Sequence, residues 1–119
     1  MSNTNNIMDL INAGIQLEST RQKAIANNFA NFETPGYRRV DVKFKELLDA
    51  CLGSSDGSKL SRAEPEIYEP RMTPVKGNGN DTSMEVEVGQ MIKNSLRHKT
   101  YVLLLKKKAS QIELAIGAR

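Results

Sequence analysis

Cysteine, histidine and tryptophan are nearly missing from this chain of 119 residues: one Cys (Cys51), one His (His98) and no Trp. One of each cannot assemble a zinc site, an iron–sulfur cluster or a disulfide framework. An intermolecular disulfide through Cys51 stays open. Long apolar runs are absent too. The longest, Tyr101 to Leu105, falls far short of the ~20 residues of a membrane-spanning helix. Met1 to Asn6 carry neither a positive charge nor an apolar core, so no Sec-type signal peptide is expected, which taken alone points to the cytoplasm. Hydrophobic residues make up only 39%, against ~45–50% in an ordinary globular domain. A net charge of +3 is too little for a nucleic-acid-binding surface.

What is present falls into three zones, 1–35, 36–83 and 84–119. Residues from about Asn5 to Asn31 carry apolar groups at three- and four-residue steps, through Ile7, Leu10, Ile11, Leu17, Ala24 and Ile25, which predicts a long helix. Its apolar arc is widened by Met8, Ile15, Ala26 and Phe29, as for a helix with neighbours on more than one side. Glu18 and Arg21 interrupt the arc; an amphipathic core helix in which these two charges snorkel reads the same residues equally well. Gly14 costs this helix up to ~1 kcal/mol relative to Ala and suits a close helix approach.

The middle zone is Gly- and Pro-rich from Gly53 to Ser83 and shows no helical period. It is expected to be irregular, partly extended and mobile. Val40, Val42 and Phe44 alternate like a short strand. Ile67 and Tyr68 suggest a second extended piece, and Phe44 to Leu52 a small helix. Gly77 to Asp81 has a superficial likeness to a calcium loop without its full ligand set, and suits a flexible lead-in to the next helix.

From about Met84 to Ile116 a second long helix is expected, with Thr82 and Glu85 as a capping box and Gly117 beyond its end. Met91, Ser95, His98, Val102, Leu105, Ala109, Ile112 and Ile116 form a coiled-coil-like seam. A second stripe, Ile92, Leu96, Leu103 and Leu114, runs roughly 120° away. The predicted fold is therefore mainly α: two long terminal helices in an antiparallel, coiled-coil-like hairpin. Its core is Leu10, Leu17 and Ile25 against Val102, Leu105 and Ile112. The second stripe has no partner within the chain, so its partners are expected to be other chains.

The run Ala26-Asn27-Asn28-Phe29-Ala30-Asn31-Phe32-Glu33-Thr34-Pro35-Gly36-Tyr37-Arg38 closes the first helix. The Asn amides suit backbone bonding near a helix end. Thr34-Pro35-Gly36-Tyr37 fits a type II turn. The run resembles the signature of the flagellar rod, hook and filament-junction proteins, carried here by Asn27, Asn28, Ala30, Asn31, Thr34, Pro35, Gly36 and Tyr37. Gly79-Asn80-Asp81-Thr82-Ser83-Met84-Glu85-Val86-Glu87-Val88, Asn94 to Leu96 and Gln111 to Gly117 are similar to the proximal-rod members of that family. Together the likeness covers both helices, about half the chain.

That resemblance implies a structural, non-enzymatic subunit of the bacterial flagellar basal body. Such a subunit is exported by the flagellar type III system, without a cleaved signal peptide, and stacks helically into the periplasmic proximal rod. The implied partners are other rod subunits, the adaptor between rod and MS ring, the export gate and further copies of the chain. Phe44 and Leu48 match the short Phe-x-x-x-hydrophobic pattern of early substrates at the export gate; a small packing helix reads the same residues equally well. Ile92, Leu96, Leu103 and Leu114 become candidate subunit contacts.

No catalytic, metal or cofactor-binding residues can be named, and no small-molecule substrate is expected. His98 is expected as a packed seam residue and Cys51 as a buried free thiol. The charge is uneven: −1 over 1–35, zero over 36–83 and +4 over 84–119. The alternative is therefore a basic helical hairpin that uses Lys93, Arg97, Lys106, Lys107 and Lys108 on nucleic acid or anionic membrane. It leaves the Asn-rich run unexplained.

Overall fold

The computed structural model describes residues 2–43 and 65–117, with side chains in the first helix from Ile7 onward. Helix α1, Ser2–Ala30, leads through a turn into strand β1, Asp41–Lys43. Strand β2, Glu66–Tyr68, precedes helix α2, Met84–Gly117. The chain is mainly helical, a hairpin of two long helices. β1 and β2 pair antiparallel, with Val42 opposite Ile67. The small helix expected over Phe44–Leu52, and with it Phe44, Leu48 and Cys51, lies outside the described residues.

α1 is the centre of the molecule because two neighbours cover it. At ~100° per residue, Ile11, Gly14, Glu18 and Ile25 share the face toward α2, and Leu17 and Ala24 the adjacent face. Leu17, Ala24 and Val42 form one buried cluster, with Val40 packed against it. β1 thus folds back along α1, which accounts for the wide apolar arc.

The α1–α2 seam differs from the expected one. The buried residues of α2 are Glu87 and Asn94, and Gly89, Gln90, Tyr101, Val102, Leu105 and Lys108 are half-buried. Glu87, Asn94, Tyr101 and Lys108 recur every seven residues, the coiled-coil spacing, one position away from Ser95, Val102 and Ala109 of the expected seam. Met91, Ser95 and His98 are exposed. Of the expected hairpin core, Leu17 and Ile25 are buried, Leu10, Val102 and Leu105 are half-buried, and Ile112 is 39% exposed. Ile112 falls level with the very start of α1, where little helix remains to cover it.

Polar pairing sets this register. Glu18 is 1% exposed and does not snorkel. Its carboxylate accepts from Arg21 Nη1 at 2.9 Å and from Asn94 Nδ2 at 2.9 Å, and Asn94 also donates to the Glu18 carbonyl at 2.7 Å. One turn away the Tyr101 ring lies on Gly14, where an added Cβ would stand 2.5 Å from the ring. A buried polar contact of this kind fixes register at some expense in stability, because sliding the helices would strand both groups.

Candidate functional site

The family-like signature builds a buried polar latch where α1 ends. α1 stops at Ala30 because Pro35 cannot continue a helix. Tyr37 N–H donates to the Thr34 carbonyl at 3.3 Å and Gly36 has φ +75°, a type II turn. Asn31 Nδ2 donates to the Asn27 carbonyl, and Thr34 Oγ1 donates to Asn31 Oδ1. Asn27 and Ala30 are exposed, whereas Asn28 is fully buried. The Asn28 amide donates to the Val40 carbonyl and accepts from the Val40 N–H, each at 2.9 Å, as a paired strand would. Its oxygen also accepts from the Tyr37 hydroxyl at 2.8 Å, and Asn27 Nδ2 donates to that hydroxyl at 3.0 Å.

The other half of the latch comes from the lead-in to α2. Asn80 and Asp81 of this lead-in are fully buried. Asn80 Nδ2 donates to the carbonyls of Asn31, Phe32 and Thr34 at 2.8, 3.0 and 2.8 Å. The carbonyls of Asn31 and Thr34 also accept the N–H groups of Thr34 and Tyr37, so Asn80 completes the hydrogen bonding of the turn that closes α1 from across the chain. Asn80 Oδ1 accepts from Thr82 N–H at 2.7 Å. Thr82 Oγ1 has no partner and α2 begins at Met84, so the expected Thr82–Glu85 capping box does not form. Gly36 N–H donates to the Asn78 carbonyl, and Lys76 Nζ sits 3.7 Å from the centre of the Phe32 ring.

Charge is buried here as well. Arg39 Nε donates to Glu87 Oε1 at 2.7 Å, and Arg39 N–H donates to Asp81 Oδ1 at 2.6 Å. Arg38 approaches Asp81 Oδ2 at 3.7 Å. Such pairs add little over an apolar core, but losing one partner strands the other. Burial, reinforced by the negative charge of Glu87, raises the Tyr37 pKa. The latch therefore positions backbone and has no nucleophile–base pair. Among the described residues no cluster of His, Cys, Asp and Glu could hold a metal ion.

Ile92, Leu96, Leu103 and Leu114 are 54, 61, 65 and 71% exposed. They lie within about 40° of one another and opposite the Asn94–Tyr101 seam, at ~100° per residue. They form an apolar ridge along the outer face of α2. Of the basic residues, Lys93, Arg97, Lys106 and Lys107 are exposed, while Lys108 is half-buried beside the seam and donates to Gln111 at 3.2 Å. Among the described residues no helix is long and apolar enough to cross a membrane.

The bonds made by Arg39, Asp81 and Glu87, and the pairing of Glu18 with Asn94, were not foreseen from sequence. The only local sign of the first three is the density of Asn and Asp beside the ends of both helices; Glu18 and Asn94 lie inside their helices and have none.

The family model described as "Flagella basal body rod protein" matches residues 13–38, the stretch from mid-α1 through the turn. Among similar proteins, the flagellar basal body rod protein FlgB of a Cereibacter sphaeroides strain is 30% identical over 111 residues, covering 84% of this chain and 85% of its own. FlgB of Bacillus subtilis is 26% identical over 105 residues, covering 81% of each chain. FlgB of Buchnera aphidicola is 25% identical over 116 residues, covering 86% of this chain and 87% of its own. With the likeness running through both helices as well as the latch, this chain belongs to the flagellar basal body rod protein family.

Proposed function

We propose that the protein is a structural, non-enzymatic subunit of the proximal rod. It is delivered by the flagellar type III system and built helically with other rod subunits, and with the adaptor joining rod to MS ring, in the periplasm. The observation that carries this reading is the exposed ridge on a chain whose relatives are rod proteins along most of its length. A hairpin that keeps four large apolar side chains in water gains by placing them against neighbours. In this reading the latch holds the two helix ends at a fixed angle, and the ridge, Ile92, Leu96, Leu103 and Leu114, contacts adjoining subunits. Phe44 and Leu48 form the export-gate contact.

Leu103→Glu tests the ridge. The variant is expected to keep its helical circular dichroism and its secretion but to leave cells non-motile, with basal bodies stalled before the rod. Normal motility would remove the ridge from assembly. Phe44→Ala tests export separately: the protein should accumulate inside the cell, and undiminished secretion would discard that motif.

A further inference from the structure

Asn78-Gly79 is the only Asn-Gly pair in the sequence, and it lies in the part of the latch that precedes α2. Asn-Gly is a dipeptide especially prone to lose its side-chain amide, because glycine has no Cβ to screen its nitrogen from the preceding side chain. In that reaction the Gly79 nitrogen gives up its proton and attacks Asn78 Cγ. The new C–N bond closes a five-membered imide, and the Cγ–Nδ2 bond breaks to release ammonia. Solvent water then opens the ring. Cleavage at Cγ leaves aspartate. Cleavage at the main-chain carbonyl leaves isoaspartate, whose main chain runs through Cβ and Cγ.

The latch holds this pair in a geometry that cannot close the ring. Gly79 N–H donates to the Lys76 carbonyl at 2.9 Å, and Lys76 N–H donates to the Asn80 carbonyl at 2.8 Å. Gly77, Asn78 and Gly79 therefore form a three-residue loop. Gly79 has φ +84°, whereas Asn78 is not among the residues of positive φ. That combination is a type I turn followed by a left-handed glycine, with Asn78 at the third turn position and ψ of about 0°. At that ψ the Gly79 nitrogen eclipses the backbone nitrogen of Asn78, and ring closure needs it to eclipse Cβ instead. Turning it there would swing the Asn78 carbonyl away from Gly36 N–H, from which it accepts at 2.9 Å, and would break the Gly79–Lys76 bond. The side chain is held as well, because Asn78 Oδ1 accepts from Asn80 N–H at 3.1 Å. Asn80 in turn is anchored to the turn closing α1 by three bonds. Asn78 itself is exposed, so its protection comes from main-chain geometry and not from burial.

We propose that Asn78 is a deamidation site kept silent by the closed latch, so that time spent unlatched is recorded at residue 78. The record feeds back on the latch. Isoaspartate lengthens the main chain by one atom beside Gly79. The bond from Gly36 N–H to the residue 78 carbonyl and the close approach of Gly36 and Gly79 then cannot both be kept. Glycine at 79 cannot be exchanged for a less reactive neighbour, because its φ is positive and a Cβ would stand 3.3 Å from the Gly36 Cα. The site stands independently of the rod reading.

Ageing the full-length protein in mildly alkaline buffer, native or in denaturing guanidinium chloride, tests this, with mass spectrometry of the peptide carrying residue 78. Deamidation there is expected to run about tenfold slower or more in the native chain, because only the locally open form reacts. Equal rates would overturn the proposal, as would faster loss from the chain's other asparagines than from Asn78 in the denatured state. Asn80→Ala separates the latch from folding in general. It should keep its helical circular dichroism and, in native buffer, deamidate at residue 78 roughly threefold faster or more than the parent. If its helices are lost, Gly36→Ala takes its place: the added Cβ meets nothing within 4 Å, while the positive φ strains the turn that donates to Asn78. A folded variant as well protected as the parent would overturn the role of the latch. Chains carrying isoaspartate at 78 should melt below the parent, and coincident melting would overturn the feedback on the latch.

Discussion

Gly36 and Gly79 meet back to back across the latch: both have positive φ, +75° and +84°, and a Cβ on Gly79 would stand 3.3 Å from the Gly36 Cα. The left-handed region costs an L side chain roughly 1–2 kcal/mol, and here the neighbour is backbone, which has little room to retreat. Gly79→Ala is expected to lose at least that amount, lowering Tm by roughly 4–8 °C per kcal/mol in a domain of this size. Gly77→Ala, where a Cβ meets nothing within 4 Å, is the control and should melt close to the parent. Equal melting of the two variants would deny the contact.

Gly14 makes the opposite kind of prediction, one whose sign depends on a second residue. A Cβ there collides with the Tyr101 ring, so Gly14→Ala should destabilise the protein although Ala is the better helix former. In a Tyr101→Leu background the obstruction is gone, and the same change should stabilise by up to ~1 kcal/mol. Urea unfolding of the four proteins reads the reversal. Simple additivity would mean that the ring does not rest on Gly14.

Arg39 and Glu87 are both buried and bonded at 2.7 Å. Arg39→Met leaves a buried carboxylate behind and should cost about 3–5 kcal/mol. Adding Glu87→Leu removes the stranded charge and should recover most of that loss. A double variant no more stable than Arg39→Met would show that the loss does not come from a stranded Glu87 carboxylate.

Alkaline pH probes Tyr37. Its pKa is raised by burial first and by Glu87 second, above the ordinary value of 10.0. The folded chain therefore holds the phenolic proton where the unfolded chain has begun to release it. The resulting stabilisation is complete below pH 10 and is lost as the pH climbs through the raised value. Stability measured from pH 8 to 11 should fall at the alkaline end, and Tyr37→Phe should flatten that fall while lowering stability near neutrality. An unchanged slope in the variant would assign the alkaline loss to other groups.

Much of the architecture was legible in the periodicity. Both helices fall close to the expected spans, and the strand pair, Asp41–Lys43 with Glu66–Tyr68, falls on the expected extended pieces around Val42 and Ile67. What misled was the assumption that a seam must be apolar. Met91, His98 and Ile112 look like seam residues because they are apolar or lone. The chain instead buries Glu18 against Asn94, a pairing across 76 residues that no local pattern announces. Gly77 to Asp81 looked flexible because Gly and Asn favour loops. Gly77 and Asn78 are indeed exposed, but Asn80, Asp81 and Thr82, with the Asn80 amide bound to carbonyls of the turn, make one of the most buried stretches among the described residues. Ile92, Leu96, Leu103 and Leu114 were legible as one stripe because their spacing alone places them on a common face of the helix, and all four are exposed.

The bonding of Asn80 to the turn that closes α1 has a consequence for the order of events. The three carbonyls it binds are made 46–49 residues before it. A chain emerging amino end first, from a ribosome or a narrow channel, exposes α1 and its turn while their closing residue is still behind. α1 then lacks the tertiary packing that supplies most of a protein helix's stability, and Asn28, Arg39 and the turn carbonyls face solvent instead of one another. The latch behaves as a completion check: the first third of the chain gains its fixed geometry only once the last third has arrived.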